Sequence, residues 1–425
     1  MLDWNLCYSI HDLIDRTNVE KFDPVIGRQF NMICAVIDRV RDSLNYLNEH
    51  DTVPRSDDSM LLYFVHACII LDAAKQMHQA LGLPYPGADA KSPDDFRFFG
   101  EAIQQKPLCI PKEKLPTDDK FFEYFRSLVF AHPFETSHAR FLDREKGEVQ
   151  YSPFVIHGHS SGAAPGEEDM IGVRIYSNIR DDIVDFRLEF KTIQDYIASR
   201  YAFLTNVRDH IKGVIERQRE EWKRNAIDRS QPVADILRDI VKTLKSRFVD
   251  SSLAEDAVCY YTTPLTPGLP ENEKWVDGYR KLIEAAVPVW CDLLDSLDHE
   301  GLINAMEPLL SPQVPLGNDY NSVGYQLEKI FCHLGEDNDY GWWAGRQLKE
   351  FAAGFASEWV TIRRDMSVDE AHLLVTVACL FEFARYEKTH PEAERPCGLP
   401  QMPNGAGVRR IVIGEIPSEI KKGNI

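Results

Sequence analysis

The chain has 425 residues, a length that accommodates two or three domains, each with a substantial core. Its hydrophobic fraction of 44% and charged fraction of 27% are those of a globular protein, not of a disordered or collagen-like chain. The formal net charge of -19 opposes general adhesion to nucleic acid or anionic lipid, so any nucleic-acid contact must depend on a local basic site.

The N-terminus, MLDWNLCYSIHDLIDR, is acidic and interrupted by polar residues, unlike a secretory leader. After Asp23-Pro24, apolar residues at Ile26, Phe30, Ile33, Ile37, Val40, Leu44 and Leu47 alternate steps of four and three, which predicts a long amphipathic helix. Ser56, Asp57 and Asp58 cap a second helix from about Met60 to Leu81. Its most apolar run, Met60 to Leu71, is too short to span a bilayer and ends on Asp72, so no membrane association is expected. LGLPYPGADAKSP breaks the chain, a shorter helix follows near Asp94 to Gln105, and Thr117 caps another that carries Arg126 to His132.

The pattern then changes to short β-branched and aromatic runs. Gln150 to His157, Met170 to Asn178 and Ile183 to Phe190 predict two or three strands. Helix returns from Lys191 to Asn225. A second, helical region follows, with helices over Val233 to Phe248, Glu273 to Leu297, Ser322 to Leu334, Tyr340 to Arg364 and Val368 to His390, the last opened by a capping box of Ser367 and Glu370. VRRIVIGEI predicts a terminal strand. The expected fold is mainly α: residues 1–225 form a helical bundle with a β insertion near 150–190, and 226–425 form a second helical domain.

Nine cysteines, an odd number with no CxxC pair, suit free thiols in a reducing cytoplasm. Cys332-His333 have no further ligand at metal spacing. His157 and His159 alternate in a loop followed by Glu167, Glu168 and Asp169, but no third ligand is identifiable, and loop histidines without metal are expected. Gly158, Ser160 and Gly162 satisfy G-x-S-x-G. The Ala-Pro-Gly segment after that serine leaves no helix for a nucleophile elbow, so a polar loop is expected. Trp342, Trp343 and Arg346 offer a base-stacking set, with core packing as the plainer use.

The stretch FFEYFRSLVFAHPFETSHAR, 121–140, carries the most specific chemistry. An arginine's forked donors suit a phosphate and a histidine exchanges protons near neutrality, a sufficient kit for metal-free cleavage of RNA through its 2'-hydroxyl. Arg385 and His390, five positions apart where Arg126 and His132 are six, fit the same loose arginine–histidine pattern, so context decides. Arg126, Ser127 and His132, late in a helix that follows three others, resemble the motif of the HEPN superfamily: an arginine, usually a polar residue next, and a histidine four to six positions on. Many members of that superfamily are ribonucleases of toxin–antitoxin, phage-defence and CRISPR systems. The resemblance covers at most residues 25 to 200, and Ser127 and the strands depart from the family pattern. It implies a helical bundle, an endoribonuclease needing neither metal nor cofactor, and a composite site across a homodimer. Arg126 would hold the phosphate, His132 would move protons, Ser127 would orient one of them, and His138 is an accessory candidate. RNA is the expected substrate, with an inhibitory or triggering partner acting through the C-terminal domain. The competing reading is a non-catalytic interaction or ligand-sensing protein on the same bundle.

Overall fold

The computed structural model describes residues 2–86, 93–131, 133–134, 148–157, 168–179, 181, 183–315 and 320–389. They form two compact units that divide between Arg217 and Gln218. The boundary expected near residue 225 thus lies a few residues earlier, inside a helix.

Unit 1 opens with α1 (Trp4–Asp15) and the short α2 (Val19–Phe22), then α3 (Pro24–Glu49) and α4 (Asp57–Ala80). Asp23 caps α3 by accepting from the N–H groups of Val25 and Ile26, with Pro24 at the first helical position, where its missing donor costs nothing. The periodic stripe of α3 is buried: Ile26, Ile33, Ile37, Val40, Leu44 and Leu47 all belong to the core of unit 1. That burial commits the stripe to packing within unit 1. Ser56 caps α4 together with Ser59. By length and composition α4 could cross a membrane, and 56% of its most apolar window is buried inside the protein. The apolar helix is therefore longer than the Met60–Leu71 run suggests, and its buried face, including Phe64, Ala67, Leu71 and Ala74, belongs to the core.

The helix expected at Asp94 to Gln105 is divided into a 3-10 turn, Pro93–Phe96, and α5 (Gly100–Gln104). α6 (Asp118–Arg126) starts at the Thr117 cap and stops sooner than expected, because Ser127–Ala131 forms a π-helical turn. Four strands follow: β1 (Gln150–Tyr151), β2 (Val155–Ile156), β3 (Met170–Ser177) and β4 (Val184–Glu189). The strand expected from Gln150 to His157 is split into two. Tyr151 lies opposite Tyr176 and Val155 opposite Val173, so four residue steps face three, a one-residue bulge at a segment containing Pro153. All pairings are antiparallel. Gly172 allows the close approach of β4, since a Cβ there would lie 2.1 Å from the carbonyl oxygen of Phe186. Phe186 packs on Phe121 and Phe125, which seats the sheet on α6. The long helix expected from Lys191 to Asn225 is two, α7 (Phe190–Ala202) and α8 (Leu204–Arg224).

Unit 2 is helical: α9 (Val233–Ser246), α10 (Ser252–Thr262), α11 (Pro270–Asp295), α12 (His299–Leu310), α13 (Asn321–His333), α14 (Asp339–Ala353) and α15 (Val368–Thr389). α14 ends well before Arg364, and a 3-10 turn follows at Phe355–Glu358. Ser367 caps α15 through the N–H of Glu370. The Glu370 carboxylate does not close the expected box. It accepts from the N–H and hydroxyl of Thr266 at 2.7 Å each, pinning the connector before α11. Trp290, fully buried, donates from Nε1 to the carbonyl of Ala305 and joins α11 to α12. The terminal strand expected at VRRIVIGEI lies outside the described residues.

Burial on α10 pushes the Asp256 carboxyl up to about 6, with Glu255 adding repulsion. A folded-state value above the unfolded one means that its stabilising contribution is complete below about pH 4 and lost as pH rises through about 6. Asp256→Asn is therefore expected to raise the unfolding midpoint of unit 2 at pH 8 and leave it nearly unchanged at pH 4. Equal shifts at both values in a thermal scan would refute this.

Candidate functional site

α6 packs antiparallel to α4, and one polar seam runs between them. At its inner end, Asp119 is 9% exposed and its Oδ1 accepts from Arg200 Nε at 2.7 Å and from the Tyr196 hydroxyl at 2.9 Å, both on α7. Lys75 of α4 lies 3.9 Å from the other Asp119 oxygen and 3.2 Å from Glu123. One turn further on, Arg126 meets Cys68 and Asp72 of α4. The seven residue steps from Asp119 to Arg126 span about 10 Å of helix.

Arg126 is half-buried. Burial works against its charge, but the Cys68 side chain and then the carboxylates of Asp72 and Glu123 outweigh it and raise the guanidinium's pKa. Burial in turn pushes the Cys68 thiol up, against the pull of Arg126. Ser127 is 1% exposed, so its side chain is closed off from solvent within the turn. The π-helical turn begins at Ser127 and ends at Ala131, immediately before His132. Such wide turns interrupt α-helices frequently at functional sites. His132 and His138 lie outside the described residues. On the far side of His132, the Pro133 carbonyl accepts from the Ser152 N–H at 2.6 Å, and Tyr124 of α6 donates to Gln150 at 3.0 Å. Both bonds tie the end of the motif helix to the strands.

The other sequence candidates have separate fates. His157 lies 3.5 Å from Asp57 at the start of α4; His159, Gly158, Ser160 and Gly162 are outside the described residues. Among the described residues no group of three His, Cys, Asp or Glu side chains converges as a metal set. Arg385 of the second motif match pairs with Glu358 and Glu382 and lies over Trp359, a structural use; His390 is outside the described residues. Trp343 donates to the Tyr325 hydroxyl with Arg346 over its ring, and Trp342 is 67% exposed, so this pair faces outward rather than filling the core of unit 2. Eight cysteines among the described residues are free thiols.

Sequence reasoning missed Lys75, Asp119, Tyr196 and Arg200. Asp118 and Asp119 lie in the first turn of α6, where Asp118 accepts from the N–H groups of Phe98 and Phe99. No spacing linked Asp119 to a partner 81 positions away. Comparison of the chain with protein-family models, curated proteins and solved structures yielded no match.

Proposed function

We propose that unit 1 is a metal-independent endoribonuclease of the HEPN type, working in the cytoplasm as a homodimer, in the role of a toxin or phage-defence effector. Arg126 and His132 are its catalytic residues, and Ser127 positions the arginine from within. A base removes the proton from the 2'-hydroxyl, O2' attacks phosphorus, the bond to O5' breaks, and O5' takes a proton. The products are a 2',3'-cyclic phosphate and a 5'-hydroxyl. The guanidinium neutralises the charge that builds on the phosphate oxygens. What carries the reading is the placement of a half-buried, firmly charged Arg126 directly before a π-helical turn that leads into His132. Unit 2 selects the RNA or receives an inhibitory or triggering partner.

A second reading has its own observation. Asp72 and Glu123 flank Arg126, and carboxylates there repel a phosphate as well as hold a guanidinium. In that case the arginine is a structural charge in a non-catalytic interaction or ligand-sensing protein. Incubation of a mixed RNA pool with wild type and His132→Ala in EDTA separates the two. Cyclic-phosphate ends made by wild type and lost in the variant support the nuclease. Equal activity sinks His132 as catalyst, and equal inactivity at high enzyme concentration favours the second reading.

A further inference from the structure

A groove of about 810 Å³ opens on unit 1 beside α7 and the start of α8, away from Arg126 along the seam. Its lining combines Arg97 and Phe98 with Asp195, Ser199, Phe203 and Asn206, among others. The volume is that of small-ligand sites.

The two rings are held from within. Arg200, 3% exposed and bonded to Asp119, lies over Phe203 at 5.3 Å and Phe98 at 6.0 Å, and its Nη1 donates to Ser199 at 3.3 Å. Tyr85 meets Phe203 edge-on at 5.4 Å. The aromatic walls are thus fixed by a buried ion pair, a pre-organised arrangement on which a ligand loses little further freedom. At the rim, Arg97 stacks on Phe98 at 5.4 Å and is exposed. Asp118 accepts from the Arg97 backbone N–H and leaves the guanidinium itself without an ion pair among the described residues, whereas Asp195 is balanced by Lys191 at 2.5 Å. On a protein of net charge -19, such an exposed guanidinium is a local anion site.

We infer that this groove binds a nucleotide unit. A phosphate fits the forked donors of Arg97. A flat base has the Phe203 ring and the Arg97 plane to stack against. Ribose hydroxyls meet the side chains of Ser199 and Asn206, which donate and accept. A simple anion uses only the first of these features, and an apolar ligand strands the polar ones. The inference stands apart from the cleavage reading, since it requires neither Arg126 nor His132. The nucleotide comes either free or within a single RNA strand, and the test distinguishes these sources.

Binding is to be measured by calorimetry on full-length His132→Ala protein, which keeps RNA intact. The probes are the four nucleoside 5'-monophosphates, inorganic phosphate and a mixed-sequence single-stranded 12-mer RNA. Saturable nucleotide binding is expected, weakened about tenfold or more by Arg97→Ala and less by Asn206→Ala, both exposed positions whose replacement spares the core. Monophosphate binding as tight as the 12-mer identifies a free nucleotide as ligand; tight 12-mer binding with weak monophosphate binding identifies a strand subsite. Binding undiminished by Arg97→Ala overturns the proposal, as does phosphate binding as well as any nucleotide or the absence of saturable binding by every probe.

Discussion

Asp119→Ala is expected to destabilise unit 1 by about 3–5 kcal/mol, the usual cost of removing one partner from a buried ion pair. The reason lies in what remains. Arg200 has 4% of its side chain exposed and would keep its charge without the oxygen that accepts its Nε. The Tyr196 hydroxyl would lose the same acceptor. Lys75 retains Glu123 and suffers less. A double variant, Asp119→Leu with Arg200→Met, is expected to recover most of the loss, because apolar residues of similar size remove the stranded charge. Hydrogen exchange of α6 and α7 peptides reports the effect, with α9 and α11 as an internal reference in unit 2. A loss below about 1 kcal/mol would place Asp119 in the ordinary range of exposed pairs.

The second large effect is on catalysis. Arg126→Met keeps the packing of the aliphatic stem against α4 but deletes the guanidinium, and is expected to slow RNA cleavage by at least about 100-fold. Arg126→Lys should restore part of the rate, since a point charge binds phosphate without the forked geometry. Stability separates the roles. Arg126 is half-buried and its partners Asp72 and Glu123 belong to the seam, so the methionine variant is expected to lose about 1 kcal/mol, far less than Asp119→Ala. Wild-type cleavage by Arg126→Met would end the proposed role of this residue, while full-scale unfolding would reveal a purely structural charge.

The sequence pattern located what local chemistry determines. α3 and α4 begin at their caps because Asp23-Pro24 and Ser56 settle the orphan donors at those points, and a regular stripe carries each helix onward. α1, α10 and α12 escaped notice because each is short, 11 or 12 residues, and α12 also carries Gly301 and Pro308, which read as helix breakers. The break between α7 and α8 has no proline or glycine to announce it. Phe203, where the chain breaks, packs against Tyr85 and Arg200, contacts made only in the folded unit. Glu370 shows the same limit: it sits at capping-box spacing, yet Thr266, 104 positions away, offers it two donors. Arg126 was identifiable from its motif, but its neighbours on α4 were not, and neither was the groove, whose lining comes from segments about a hundred residues apart.

The π-helical turn bears on how this chain can change length. Its hydrogen bonds reach one residue further than those of an α-helix, so Ser127–Ala131 accommodates an extra residue without disturbing α6 on one side or the Pro133–Ser152 bond on the other. Deleting one residue here would let the α-helical ladder continue and swing the following side chain by about 100° around the axis. The turn is thus the place where an insertion or deletion is absorbed most easily, and the gap between arginine and histidine is a distance that evolution can adjust in single-residue steps.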